Sequence, residues 1–162
     1  MIHFDSIWKR AVIRCGDEDA LRHLLSDLST QKILATRRDS EVLGTMTRCI
    51  FEAGFSPDTV RRRWPGFLAA FYEFEPSILT SLNDEEWQRF QFDTRIIRNA
   101  QKINAIRHNA TMMTRLAMQH ESFGQFLDTW PSGALVELFQ LLAKEGQRLG
   151  PRTVQAFFFR IG

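Results

Sequence analysis

Cysteine is scarce in this chain and poorly placed for cross-linking. Cys15 and Cys49 are the only two among 162 residues, far apart and without a Cys-x-x-Cys spacing. This argues against both a disulfide framework and a cysteine-rich zinc site and fits a reducing cytoplasm. His3, His23, His108 and His120 are scattered with no metal-ligand spacing, so no metal ion and no other cofactor is expected. No apolar run approaches the length of a membrane span, and Met1-Ile2-His3-Phe4-Asp5 does not begin a basic-then-apolar leader, so neither export nor anchoring is expected. Charge of one sign is also lacking. A net charge of +2 does not by itself establish a polyanionic partner, and local clustering must decide. With five prolines and little strand-like alternation, a sheet protein is not expected.

What is present is aromatic and periodic. Fourteen Phe and four Trp, in a chain that is 44% hydrophobic, are mostly core material at helical spacing. Apolar residues recur at three- and four-residue steps, so the class is all-α, in a single domain over residues 1–162. A first stripe of Phe4, Ile7, Trp8, Ala11 and Val12 is closed by Gly16, and Asp17 caps a second helix. Ser40 is expected to cap a helix that ends at Gly54, and Ser56-Pro57-Asp58 to open the next, which Pro65 interrupts. Asn83 or Asp84 starts a short helix. Thr94 to His120 reads as a long amphipathic helix with a basic face at Arg98, Lys102 and Arg107. Phe123 to Trp130 follows, and Ser132 caps Leu135 to Ala143.

The end of the chain carries the clearest local signal, a helix-hairpin-helix at 133–162. Leu135 to Gly146 reads as one helix, Gln147-Arg148-Leu149-Gly150-Pro151 as a tight turn, and Arg152 to Ile161 as a second helix. Such a turn presents backbone amides at a helix N-terminus, where the dipole favours a phosphate oxygen. Leu149 can pack beneath the turn and stiffen it, while Lys144, Arg148, Arg152 and Arg160 can add charge without reading bases. An ordinary helical hairpin has the same punctuation, and this pattern alone leaves both open.

Other segments carry a resemblance that extends from about Glu41 to the C-terminus. Asn83-Asp84-Glu85-Glu86-Trp87-Gln88-Arg89-Phe90 is followed by Asp93-Thr94-Arg95-Ile96-Ile97-Arg98-Asn99, by Lys102-Ile103, and by Phe123-Gly124-Gln125-Phe126-Leu127-Asp128-Thr129-Trp130. Together they resemble the 3-methyladenine DNA glycosylase I family of the helix-hairpin-helix glycosylases, most sharply at Ile96-Ile97-Arg98-Asn99. Phe51-Glu52-Ala53-Gly54-Phe55-Ser56 resembles the family segment that enters DNA where the damaged base has left the stack, and Phe74-Glu75-Pro76 matches too. The resemblance implies a helical glycosylase-like bundle that binds alkylated double-stranded DNA as a monomer, flips an alkylated purine and hydrolyses its N-glycosidic bond. It implies Arg148, Leu149, Gly150, Arg152 and Thr153 as DNA-backbone contacts, and Gly54 and Phe55 as the intercalating turn.

The departures from the family fall on the active site. Cys49 stands where the family has an acidic residue and Pro57 where it has an aromatic one; these two positions mark the expected base pocket, between the Val42–Ala53 helix and the long helix from Thr94. Arg14-Cys15-Gly16 matches the start of the family's zinc motif, but Leu28 replaces the histidine that would follow. Many superfamily members carry a catalytic aspartate after the hairpin. Here Gly162 closes the sequence, so either the protein lacks that segment or the 162 residues are a fragment, and the catalytic group stays unassigned. Three functions follow: a glycosylase, a glycosylase scaffold that binds DNA or a lesion without cutting, and a protein-interaction domain.

Overall fold

Short polar side chains, Ser56, Asn83, Asn99 and Ser122, cap four of the described helices. The computed structural model describes residues 12–13, 16–20 and 36–161. Residues 33–162 group into one compact unit and residues 1–32 into another. In the latter, the Gly16 amide bonds to the Val12 carbonyl at 3.0 Å, with Gly16 at φ +101°, and Asp17 caps the next turn through the Ala20 amide at 2.6 Å. The rest of the first two expected helices, and the readings of Cys15 and Leu28, lie outside the described residues.

The larger unit is helical among the described residues. Its order is α1 (Asp39–Glu52), α2 (Pro57–Ala70), α3 (Pro76–Ser81), α4 (Asp84–Arg89), α5 (Ala100–Leu116), α6 (Phe123–Asp128), α7 (Leu135–Glu145) and α8 (Pro151–Ile161), with 3-10 turns at Tyr72–Phe74, Phe90–Phe92, Ala117–Gln119 and Ser132–Ala134. Ser56 caps α2 through the Thr59 amide. Asn83 opens α4 with a reciprocal bond to Glu86, its Oδ1 accepting from the Glu86 amide at 3.0 Å.

Several expected boundaries move, each for a local reason. Arg38, not Ser40, holds the N-cap position of α1. Asp39 turns its carboxylate instead to the amides of Phe123 and Gly124, tying the start of α1 to that of α6. Pro65 does not interrupt α2: it is exposed, so the carbonyl that loses its amide partner stays in reach of water. Beyond Ala70 the chain leaves the helix, with Tyr72, Glu73 and Phe74 all at positive φ. The long helix begins at Ala100 rather than Thr94, because Asp93 folds its carboxylate onto the Arg95 amide and Asn99 supplies the cap, through the Lys102 amide. Ser132 lies in a 3-10 turn, and Ala134 holds the N-cap position of α7 without a side-chain bond.

Most of the described phenylalanines are core, as their spacing predicts, while Phe92 and Phe159 are exposed. Phe71 lies among Phe67, Phe74 and Phe90 at ring separations of 5.9, 5.7 and 4.5 Å, which joins α2 to the turns on either side of α3 and α4. Phe51 continues the cluster from α1, edge-on to Phe67 at 4.8 Å. Phe157 brings α8 into the same buried core. This packing leaves two turns exposed, one after α1 and one between α7 and α8.

Candidate nucleic-acid interface

The hairpin turn is held from below and open above. Leu149 is buried, and its methyl lies where a Cβ on Gly146 would sit, 2.4 Å away, so that glycine is what lets the turn close on its own leucine. Asn109, fully buried on α5, accepts from the Gln147 amide at 2.8 Å and donates to the Gln147 carbonyl at 3.1 Å. His108 Nε2 reaches the Glu145 carbonyl at 2.8 Å, and Arg115 pairs with the Glu145 carboxylate. Arg148, Gly150 and Arg152 are exposed, and Thr153 is half-buried. Arg148 is held at φ +62°, which a residue other than glycine adopts at a cost of about 1 kcal/mol. The Thr153 and Val154 amides bond to the Gly150 carbonyl, whereas those of Leu149, Gly150 and Arg152 find no intramolecular acceptor among the described residues. They lie at the N-terminal, positive end of α8.

Asn109→Ala removes both bonds to Gln147 and leaves a hole under the turn. It is expected to cost about 2 kcal/mol and to speed amide exchange in residues 147–149. Urea unfolding and exchange on the two proteins check this.

The second turn follows α1. Gly54 is exposed and Phe55 half-buried, both amides bonding to the Phe51 carbonyl at 3.1 Å; Pro57 is exposed at the start of α2. Beneath them lies Lys102, which the sequence placed on a basic helix face together with Arg98 and Arg107. It is buried instead. Its Nζ donates to the Ile50 carbonyl at 2.5 Å and the Phe51 carbonyl at 3.3 Å, and lies 5.6 and 5.3 Å from the ring centres of Phe51 and Phe55. Arg98 precedes the helix and Arg107 pairs with Asp84. Burial pushes the Lys102 ammonium below its ordinary pKa, and the charge of Arg148 pushes in the same direction.

Cys49 is buried on the face of α1 that meets α8. Arg160, expected to add charge near the hairpin turn, lies at the other end of α8: one guanidinium nitrogen donates to Cys49 Sγ at 3.9 Å and the other to Glu52, which also accepts from Arg48 Nε at 3.0 Å. Burial pushes the Cys49 thiol up, so it is neutral at pH 7. Burial also pulls the Glu52 carboxyl upward, but hydrogen bonds from Arg160 and Arg48 outweigh this and hold it below its ordinary value. Two surface clefts open elsewhere. One, of about 400 Å³, lies between α5 and the end of α7 beside His108 and Arg115; the other, of about 330 Å³, lies beside Tyr72 and Arg95. Cys49 and Pro57 line neither.

Because the folded pKa of Glu52 is depressed, its ion pairs contribute above the ordinary carboxylate range and the contribution is lost as pH falls through the folded value. Glu52→Gln is expected to cost about 1–2 kcal/mol at pH 7, with the difference from wild type closing below about pH 4. Denaturant unfolding at the two pH values measures it.

Among the described residues there is no group of three or more metal-ligating side chains, and no helix is long and apolar enough to cross a membrane. The model of the methyladenine glycosylases matches residues 34–145, more than half of the sequence. The chain belongs to the methyladenine glycosylase family. The match ends at Glu145, short of the hairpin turn. DNA-3-methyladenine glycosylase 1 of Escherichia coli is 32% identical over 76 residues, 47% of this chain and 41% of that protein, so the aligned stretch spans less than half of the curated relative. Among solved structures, 3-methyladenine DNA glycosylase I from Staphylococcus aureus superposes with a TM-score of 0.64 at 22% identity, covering 74% of each chain. A further crystal structure of a 3-methyladenine DNA glycosylase I gives 0.62 at 24% identity, over 76% of this chain and 78% of that one. These likenesses show that the fold is that of the all-α glycosylases.

Asn109 was not singled out from the sequence, and the supporting contacts of Lys102 and Glu52, which stand in the segments quoted above, were not foreseen. Lys102 and Asn109 share a helical stripe with the buried Ala105 and Ile106, so a polar residue at a core position was the available signal.

Proposed function

We propose that this protein is a DNA-3-methyladenine glycosylase of base excision repair, acting as a monomer in the cytoplasm on alkylated double-stranded DNA. The observation that carries this is the pair of exposed turns held on α5 in a member of the methyladenine glycosylase family. In this reading Arg148, Leu149, Gly150, Arg152 and Thr153 hold the DNA backbone, through free amides and guanidinium charge. Gly54 and Phe55 fill the space left by the extruded nucleotide, and the base lies near Cys49 and Pro57.

The chemistry asks little of a catalyst. A purine methylated on a ring nitrogen carries positive charge, so it leaves as a neutral base when the N-glycosidic bond breaks; water then adds to the sugar carbon and releases a proton. The neutral Cys49 thiol offers no charge to the sugar cation, and the ionised carboxylate on its face of α1 is Glu52.

Purified protein incubated with methylated duplex DNA is expected to release 3-methyladenine above the level of a buffer control, detected by chromatography. Duplex binding without release identifies a non-cutting module on the same scaffold instead. Absence of release overturns the enzymatic reading, and absence of both overturns the proposal as a whole.

A further inference from the structure

A turn that is to enter DNA at the C-terminal end of a helix begins at an electrostatic disadvantage. The last carbonyls of α1 carry the negative end of its dipole, which repels a polyanion; the turn amides bond to those of Cys49 and Phe51, while that of Ile50 receives no amide among the described residues. The Ala53-Gly54-Phe55 turn stands at that end.

Lys102 answers both difficulties with one buried ammonium. It donates to the Ile50 and Phe51 carbonyls from α5, and so fixes the end of α1 to a separate helix. It lies within cation–π distance of the rings of Phe51 and Phe55, and so bears on the aromatic side chain of the turn as well as on its backbone. It also explains the glycine. A Cβ on Gly54 would stand 2.9 Å from Nζ, so the ammonium occupies the space that a side chain there would need. Hydrogen bonds, ring contacts and the cleared glycine are three separate observations on one atom.

We infer that Lys102 is a positioning residue for DNA entry: its ammonium neutralises the carbonyl end of α1 and holds Gly54 and Phe55 in the conformation that takes the place of an extruded nucleotide. This rests on the reading of that turn given under the proposed function. Lys102 touches no substrate; it acts through the turn.

The test uses the full chain as wild type, Lys102→Met and Gly54→Ala. Methionine keeps the apolar stem and removes the charge. In Lys102→Met the Gly54 and Phe55 amides are expected to exchange about tenfold faster or more, with those of α5 unchanged. Duplexes with a tetrahydrofuran abasic-site analogue and undamaged duplexes of the same sequence are then compared. Wild type is expected to prefer the abasic duplex, and Lys102→Met to reduce that preference about tenfold, chiefly through weaker binding of the abasic duplex. Gly54→Ala, which displaces the ammonium without removing it, is expected to act in the same direction with a smaller loss of stability, and it carries the test if Lys102→Met does not fold. Unchanged exchange in the turn, or a preference retained in full by both variants, overturns the assignment of Lys102 alone. A wild type with no preference overturns the turn's role in DNA, and the inference with it.

Discussion

Gly150→Asp is expected to weaken duplex DNA binding about tenfold to a hundredfold while leaving thermal stability equal to or above that of wild type. The two effects separate because of where Gly150 stands. Apart from Gly150 and its two chain neighbours, no atom lies within 4 Å of the position its Cβ would take, so the side chain enters open space. Gly150 immediately precedes α8 and its carbonyl already accepts from Thr153 and Val154, so an aspartate there can cap the helix, a change worth up to about 1 kcal/mol of stability. The same carboxylate occupies the place offered to a phosphate and repels it. Gly150→Ser, which can cap without charge, is expected to bind DNA within about threefold of wild type. Titration at two salt concentrations with a melting curve for each variant checks all three statements. If Gly150→Asp binds duplex as wild type does, the hairpin is not the backbone clamp.

Gly66→Ala is expected to be the most damaging single methyl group in the described fold. Its Cβ would lie 2.3 Å from the Arg95 carbonyl oxygen and 2.9 Å from the Arg95 carbonyl carbon. Both atoms are backbone, so neither can swing aside. Arg63, one turn earlier on α2, donates to the Thr94 carbonyl at 2.9 Å and presses the same segment against the helix. Separating them costs about 3 kcal/mol, roughly 10 °C in Tm for a chain of this size. The displaced segment carries the buried Ile96 and the Asn99 cap of α5, so under the proposed function a loss of base release is expected to accompany the lower Tm. A variant that melts with wild type would show that residues 93–99 are not pressed on α2.

Helix class and the aromatic core were legible because both follow from periodicity, and neither depends on where an element ends. The boundaries that moved were decided by competing hydrogen bonds. Asp39 serves the start of α6 across 84 residues, a partner no local pattern reveals. Asp93 and Asn99 could have been read as turn and cap, but the apolar spacing of Ile97, Ala100 and Ile103 ran through them and favoured a longer helix. The two turns were located from sequence, yet what supports them was not. Lys102 was assigned to solvent by its charge, although its stripe on α5 is buried, and Arg160 was assigned to the hairpin turn although it pairs with α1. A long flexible cation can serve either place, and only packing decides.

Lys102 grips the turn after α1 and Asn109 grips the hairpin turn, both from the buried side of the same helix. They are seven residues apart, about 10.5 Å along the helix axis at 1.5 Å per residue and within about 20° of the same azimuth. α5 is thus a ruler. The separation of the two exposed turns is set by helical rise, and one residue added between Lys102 and Asn109 would rotate one grip by about 100° relative to the other.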